Sequence, residues 1–248
     1  MTLKKTLQSL RGIVVDYSFR DPIDNLCYDD VLLQLAESGS ISCALRFWES
    51  KTPFIVLGRS GKVAEDLHRD AVLADEVPVY RRSSGGGTVV QGPGCLNYAL
   101  VIPKEKAWVD VRASYTAISE WLLQALLSCG VQGDYEPISD LAVGGRKFSG
   151  NAQRRGRSHI LQHGTILYDF DLAWITRWLA QPQAQPPYRG NRPHADFVVN
   201  VDLDPCALKL VLARGFLQPF LQEPVQDSLA MLAKQRAWGR VQELLLSS

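Results

Sequence analysis

The sequence lacks the features that mark several large classes of protein. No apolar run reaches the roughly 18–20 residues that a membrane-spanning helix requires. The chain carries 27 Lys and Arg against 26 Asp and Glu, so it has no basic excess typical of a general nucleic-acid-binding protein. Residues 1–12 contain no apolar segment of the secretory type. These absences predict a cytoplasmic protein that binds neither membrane nor nucleic acid.

Cysteine is also scarce, and its spacing excludes two further classes. The five cysteines are odd in number and widely separated, and none belongs to a CxxC pair: Cys27, Cys43, Cys95, Cys129 and Cys206. This pattern argues against a disulfide framework and against a zinc knuckle. We therefore expect free thiols in a reducing compartment, and we assign no metal site.

The apolar pattern predicts clustered strands interrupted by a few long helices. Strands are expected near 12–17, 44–48, 54–57, 77–81, 88–90, 96–102, 160–162 and 165–168, and a hairpin around 141–148. Helices are expected after a cap at Asp24 or Asn25, and near 65–74, 113–128 and 172–179. Because strands and helices do not alternate regularly, the sequence predicts an α+β fold with mixed or antiparallel sheets.

The 248 residues suffice for one large domain, and a single domain over residues 1–248 is expected. Residues 181–192 contain three prolines and predict an irregular surface segment, the one place where a domain boundary is considered. Residues 205–248 predict a short helical tail with a break near Gln218-Pro219.

A glycine-rich turn follows the strand predicted near 77–81, with the sequence RRSSGGGT at residues 81–88. Three successive glycines remove every Cβ, so the backbone can approach a ligand closely. Their free N–H groups form a nest for an anion, and Arg81 and Arg82 add donors suited to phosphate. A plain glycine-rich hairpin with surface arginines is the alternative interpretation. The turn is not a P-loop, because no GK[ST] follows.

Two later segments also carry candidate functional residues. Residues 139–152 (SDLAVGGRKFSGNA) place Lys147 between a glycine turn and small residues that leave room for a ligand. A solvated hairpin lysine is the alternative. Residues 162–165 (QHGT) place His163 and Gly164 inside an apolar strand, where such a pair marks a bend or close packing. The histidine is either a substrate contact or a structural residue.

In this order and spacing, RRSSGGGTV, SDLAVGGRKFSGNAQ and QHGTIL resemble the lipoate-protein ligase and octanoyltransferase family, part of the superfamily that includes biotin-protein ligases. The segment FIVLGRS at residues 54–60 matches the strand and turn that precede the glycine loop. The resemblance covers about residues 25–170. It implies the catalytic-domain fold shared by biotin ligases and class II aminoacyl-tRNA synthetases, without a full accessory domain.

The resemblance implies an enzyme that attaches lipoate or octanoate to one lysine of a lipoyl carrier domain. Such carriers are the E2 component of 2-oxoacid dehydrogenases and the glycine-cleavage H protein. Ligases of the family use ATP and Mg²⁺ to form an acyl-adenylate, whereas transferases pass the acyl group through a cysteine thioester. If this chain is a ligase, it is either compact or helped by a separate accessory chain.

The resemblance also assigns roles to particular residues. Lys147 is implied to be catalytic, as a cationic clamp on the acyl carbonyl and the bridging phosphate rather than as a nucleophile. Asp140 is implied to hold magnesium or to orient the nucleotide. The residues implied to line the acyl and phosphate region are Arg82, Ser84, Gly85, Gly86, Gly87, Gly150, His163, Gly164 and Thr165. Val89, Leu57 and Leu161 are expected along the acyl chain.

The sequence departs from the family pattern after the glycine triplet. Ligases usually carry a His-Asp pair there, where this chain has Val90-Gln91-Gly92. Three interpretations stay open: a ligase, a cysteine-dependent transferase, or a non-catalytic relative that binds lipoate or an adenylate. A transferase needs an activated cysteine, and the available residues are Cys95, Cys129 and Cys206. Cys95 does not stand where a family nucleophile is expected, and Cys129 ends an amphipathic helix. Cys206 lies downstream of Lys147, as in one transferase branch, but Pro205 before it predicts the start of a helix. On balance these positions favour the ligase.

Basic residues recur in the matched segments. If they share one face, they form a basic mouth that steers an acidic carrier toward the site. These residues are Arg81, Arg82, Arg146, Lys147, Arg154, Arg155 and Arg157.

Overall fold

The structure is a computed structural model that describes residues 3–10, 12–216, 220–225, 228–237 and 242–243. Its helices are α1 (Leu3–Ser9), α2 (Pro22–Glu37), α3 (Val63–Asp66), α4 (Arg69–Ala74), α5 (Val111–Ser128), α6 (Ala173–Trp178), α7 (His194–Phe197), α8 (Pro205–Ala213) and α9 (Ser228–Ala237). Two 3₁₀ turns cover Lys106–Trp108 and Pro187–Arg189. No helix in these residues combines the length and the apolar composition that crossing a bilayer demands.

The strands are β1 (Gly12–Asp16), β2 (Cys43–Trp48), β3 (Phe54–Leu57), β4 (Val79–Arg81), β5 (Val89–Gln91), β6 (Cys95–Pro103), β7 (Asp134–Glu136), β8 (Asp140–Val143), β9 (Arg146–Arg155), β10 (His159–Leu167), β11 (Phe220–Leu221) and β12 (Gln242–Glu243). They form a large sheet of order β11-β1-β2-β6-β10-β9-β8-β7 and a small sheet of order β12-β4-β3-β5. Both sheets mix parallel and antiparallel pairs. The predicted α+β class is therefore confirmed.

The end of the chain departs from the predicted helical tail. Strand β11 pairs with β1 at the edge of the large sheet, and β12 pairs with β4 in the small sheet. Helices α8 and α9 account for the helical part of the prediction. The break expected at Gln218-Pro219 lies outside the described residues.

Alternate residues of β2 face opposite sides of the large sheet, as the pleat of a strand requires. Leu45 and Phe47 belong to the core cluster that includes residues of α5 and α8. Ala44 and Trp48 belong to the cluster formed with α2. Arg46 shares the α2 side with them and is completely buried, so a permanent charge lies under that helix.

Aspartate residues cap the two longest described helices. Asp110 accepts two backbone N–H groups at the start of α5, and Asp21 accepts one at the start of α2. The predicted cap of α2, Asp24 or Asn25, was therefore wrong. Asn25 is buried and donates to the carbonyl of Phe19 instead, so its side chain is committed to the loop before the helix.

The helix predicted over 65–74 is interrupted. Leu67 forms a β-bridge with Leu179, and the N–H of His68 donates to the Trp178 carbonyl at 2.8 Å. These contacts with the segment after α6 replace the hydrogen bonds of a continuous helix. The result is two short helices, α3 and α4, that hold the end of α6 beside the small sheet.

Candidate active site

Two cavities meet where strand β9 begins. The smaller, about 150 Å³, is lined by residues of α2, the glycine turn after β4, β9 and β10. The larger, about 520 Å³, is lined in part by residues 181–199, which we call the strap. The cavities share the wall residues Gly87, Thr88, Val89, Ser139, Lys147, Gly150 and Thr165. A ligand that fills both cavities would pass this shared wall.

Lys147 stands at the junction of the cavities. Its Nζ lies 2.7 Å from Oδ1 of Asp140, and its side chain is 28% exposed. An ammonium group has three N–H donors. Asp140 is its salt-bridge partner, and no other described residue pairs with Lys147 Nζ. N–H donors therefore remain for a ligand at the point where both cavities open.

The sheet register explains how this lysine reaches Asp140. Asp140 and Gly150 face each other across β8 and β9, beside an irregularity in the pairing. A Cβ at residue 150 would lie 2.9 Å from both Cε and Nζ of Lys147. Glycine at this position thus makes the room in which the lysine side chain crosses the strand.

The glycine turn borders the smaller cavity through Gly86 and Gly87, and two of its carbonyls are occupied. The Arg82 guanidinium donates to the carbonyls of Gly85 and Gly87, at 2.7 and 2.9 Å. None of the N–H groups of residues 85–87 donates to another residue that the structure describes. Gly86 has φ of +91°, a conformation that favours glycine. These amides therefore have no described partner, which the anion nest predicted from the sequence requires.

Arg82 is a buried cation in the wall of the smaller cavity. Burial lowers the pKa of its guanidinium to about 10. Within the described part of the chain it forms no salt bridge; its partners are carbonyls and the Ser84 hydroxyl. Its charge is therefore uncompensated, and this favours an anionic ligand in the cavity.

A chain of hydrogen bonds ties the glycine turn to helix α2. Ser84 Oγ accepts from Arg82 Nε at 3.0 Å and lies 2.7 Å from His163 Nε2. Because an ionised carboxylate only accepts, His163 Nδ1–H faces Oδ2 of Asp29 at 3.3 Å. Arg46 holds the other oxygen of Asp29 at 2.7 Å. His163 thus connects the glycine turn to helix α2 and also lines the smaller cavity.

Gly164 lies between two strands that approach closely. A Cβ there would lie 1.9 Å from Oδ1 of Asn151. That amide oxygen accepts a hydrogen bond from the Tyr98 hydroxyl at 2.5 Å. The His-Gly pair therefore marks close packing, one of the two outcomes expected from the sequence.

The larger cavity has a mixed polar wall. Its carboxylates are Asp66 and Asp140, and its cationic groups include Lys147 and Arg189. The Arg189 guanidinium lies over the Phe197 ring, 4.6 Å from the centroid. No group of three His, Cys, Asp or Glu side chains able to hold a metal occurs in the residues that the structure describes.

The structure brings most of the predicted site residues to these cavities. Those found in the walls are Arg82, Gly86, Gly87, Asp140, Lys147, Gly150, His163, Gly164 and Thr165. Ser84 and Gly85 are not in the walls; they lie behind them, bonded to Arg82. Val89 lines both cavities, but Leu57 and Leu161 face the core clusters instead, so that part of the expectation was wrong.

Several site residues have no signal in the local sequence. Tyr188 and Arg189 belong to the proline-containing segment, which looked like a surface loop and in fact walls the larger cavity. Asp29 is a buried acid in α2, where Asn25 and Asp30 are buried as well. A carboxylate at such a position is rare unless it is paired, and that pattern was the one available signal for Asp29.

None of the five cysteines lines either cavity. Cys95 is buried, its Sγ donates to Oε1 of Gln91 at 3.3 Å, and burial raises the pKa of its thiol. Cys129 follows α5 half-buried, and Cys206 is exposed in the first turn of α8. Gln91, where a His-Asp pair was expected, lines the smaller cavity.

The arginines expected to form a basic mouth are mostly engaged by the protein itself. Arg81 donates to backbone carbonyls of residues 58–61. Arg146 donates to carbonyls of the strap, and Arg154 pairs with Asp30 at 2.5 Å. These side chains brace loops and strands, and the basic mouth that steers a carrier stays a prediction.

Comparison with known proteins identifies the family pattern in this chain. The model of the lipoyl protein ligase A/B catalytic domain matches residues 21–203. A Mycoplasma pneumoniae protein named probable lipoate-protein ligase A is 28% identical over 180 residues, covering 73% of this chain and 52% of that protein. The octanoyltransferase LipM of Symbiobacterium thermophilum is 29% identical over 198 residues, covering 71% and 72%. The chain spans about half the length of the Mycoplasma relative.

Solved structures share the fold at lower identity. A bipartite lipoate protein ligase from Thermoplasma acidophilum, studied with its E2 lipoyl domain, gives a TM-score of 0.75 at 19% identity, covering 91% of both chains. A lipoate-protein ligase A bound with ATP gives 0.72 at 20% identity, covering 91% of this chain and 92% of that one. Sequence and fold therefore agree on the same kind of catalytic domain.

Proposed function

Because the chain belongs to the lipoyl protein ligase A/B catalytic-domain family, we propose that it activates lipoate or octanoate with ATP and transfers the acyl group to a lysine of a lipoyl carrier domain. The observation that carries this proposal is the position of Lys147. Its Nζ keeps N–H donors that have no partner among the described residues, in a wall common to two cavities. That arrangement suits a reaction that joins two ligands.

The smaller cavity takes the acyl chain. Its apolar wall includes Leu26, Trp48, Val56 and Val89, and each buried methylene contributes about 0.8 kcal/mol. The carboxylate end of the acid lies toward the free amides of the glycine turn and Lys147. The buried charge of Arg82 favours the anion from behind the turn.

The larger cavity takes the nucleotide, which is the bulkier substrate. A carboxylate oxygen of the acid attacks the α-phosphorus, the bond to the bridging oxygen breaks, and pyrophosphate leaves. Negative charge accumulates on oxygens at the junction, where Lys147 is fixed by Asp140. A cation held in place before the reaction stabilises that charge without reorganising, which is commonly the largest catalytic contribution.

Magnesium fits this cavity only as a partner of the nucleotide. The wall offers two carboxylates, Asp66 and Asp140, and Mg²⁺ is usually held by one or two carboxylates together with substrate phosphates. When bound, the ion neutralises phosphate charge and makes pyrophosphate a better leaving group. Asp140 already forms a salt bridge with Lys147, so we assign it mainly the role of keeping the ammonium group in place rather than that of binding magnesium.

In the second step the amine of the carrier lysine attacks the acyl carbon, and AMP leaves with the bonding electrons of the mixed anhydride. The Thermoplasma neighbour, solved with its E2 lipoyl domain, supports a lipoyl domain as the carrier. Acyl transfer through a cysteine is the second candidate, because LipM is among the relatives. The absence of cysteine from both cavity walls weighs against it.

The test offers the enzyme a purified lipoyl domain in two reactions. One contains ATP with lipoate or octanoate, and the other contains octanoyl carrier without ATP. We expect pyrophosphate release and a carrier heavier by one acyl group in the first reaction only. Lys147→Ala is expected to abolish acylation while the unfolding midpoint stays near that of the parent. Acylation from octanoyl carrier alone, or normal activity of Lys147→Ala, would contradict the proposal.

A further inference from the structure

The strap is connected to Lys147 in two ways, directly through the main chain and indirectly through Asp140. The N–H of Val199 donates to the Lys147 carbonyl at 2.9 Å, beside a parallel bridge between Lys147 and Val198. The Tyr188 hydroxyl donates to Oδ2 of Asp140 at 2.9 Å, while Oδ1 of the same carboxylate holds Lys147 Nζ at 2.7 Å. Main chain and side chain of the lysine are thus both connected to the segment that walls the larger cavity.

Tyr188 is built to serve as a donor here rather than as a ligand contact. Its neighbours Pro187 and Arg189 line the larger cavity, whereas Tyr188 lines neither cavity. Burial and the nearby Asp140 carboxylate raise the pKa of the phenol well above its usual value. The hydroxyl therefore keeps its proton at working pH. The ring lies against Phe197, 5.1 Å between centroids, which helps to hold the ring in place.

We propose that Tyr188 is a positioning residue that orients Lys147 through Asp140. The ammonium group is then aligned only when the strap lies against strands β8 and β9. The inference rests on the proposed ligase function. With Tyr188 in place, Oδ2 is occupied and only Oδ1 meets the lysine. Without the hydroxyl, the carboxylate is free to rotate and to hold the ammonium with both oxygens, which draws Nζ away from the junction.

Tyr188→Phe tests this with the loss of one oxygen atom. We expect the rate of pyrophosphate release at saturating substrates to fall about tenfold, the loss expected for a hydrogen bond to a charged group. The KM for the acyl acid should stay within twofold, because the smaller cavity is untouched. Tyr168→Phe is the matched control: that hydroxyl also donates to a carboxylate, Glu49, at 2.9 Å, and the residue lines neither cavity. It should leave the rate unchanged.

A double-mutant cycle separates positioning from a general structural role. The readout is the Kd for a non-hydrolysable acyl-adenylate analogue, which needs no turnover. Tyr188→Phe should weaken binding about tenfold in the parent and by less than twofold in Lys147→Ala, because no ammonium remains to be aligned. Equal losses in both backgrounds would overturn the proposal. If Tyr188→Phe does not fold, Asp140→Asn takes its place in the same cycle with the same expectation.

The failure of this inference is distinguishable from failure of the proposed function. If the parent releases pyrophosphate and binds the analogue but Tyr188→Phe behaves like Tyr168→Phe, only the role of Tyr188 is wrong. If the parent neither binds the analogue nor releases pyrophosphate, the proposed function is wrong and the inference falls with it.

Discussion

Gly150→Ala is the sharpest probe of the junction, because the structure predicts the size of the displacement. The new Cβ would lie 2.9 Å from Cε and Nζ of Lys147. Non-bonded carbon contacts settle at about 3.5–4.0 Å, so the end of the lysine must retreat by roughly 0.6–1 Å. Residue 150 has no positive φ, and the nearby atoms are the flexible end of a side chain. The methyl should therefore move the ammonium without unfolding the strand.

A displacement of that size matters for catalysis, since misplacing a catalytic group by 1 Å can cost about a hundredfold in rate. We expect pyrophosphate release by Gly150→Ala at saturating ATP and acid to fall by about this factor, with an unfolding midpoint close to the parent's. In Lys147→Ala, where no ammonium is left to displace, adding the methyl should change affinity for the acyl-adenylate analogue less than twofold. A Gly150→Ala enzyme with a rate within threefold of the parent would refute the reasoning.

Two further predictions concern residues outside the junction. A triple change of Cys95, Cys129 and Cys206 to Ser should leave ATP-dependent acylation within a few-fold of the parent in the carrier mass assay, and complete loss would indicate a thioester route. Glu37→Gln should destabilise the fold. Burial of Glu37 opposes its charge, but the N–H groups of residues 157–159 outweigh this and hold the pKa at about 2, against 4.5 ordinarily. This stabilisation is present above pH 4.5 and is lost as the pH falls toward 2. Urea unfolding should show a parent that weakens over this range and a variant with a flatter profile, about 1–2 kcal/mol less stable at pH 7. Parallel profiles would contradict this role of Glu37.

Local sequence was informative where a residue type is required by local geometry. The glycine turn at 85–87 and the glycine at 150 were marked by the missing Cβ alone, and the structure places both beside Lys147. The strands of the large sheet were predictable because their alternate residues pack on opposite faces. In each case the sequence signal lies within a few residues of the structural feature that it predicts.

Contacts between distant residues account for what the sequence did not reveal. Tyr188 lies 48 positions from Asp140, and no local pattern links a tyrosine in a proline-containing segment to a strand acid. Arg82 was expected to line the site and does so, but no sequence pattern showed that its guanidinium would donate to the carbonyls of its own turn. The break between α3 and α4 likewise depends on Leu179, far along the chain.

The pairing of β12 with β4 has a consequence for how the enzyme matures. Gln242 and Glu243 lie beside Arg81 and Tyr80, immediately before the glycine turn. A ribosome delivers the turn more than 150 residues before it delivers these partners. While the intervening residues are being made, the glycine turn of the nascent chain therefore follows a strand β4 that still lacks its β12 partner.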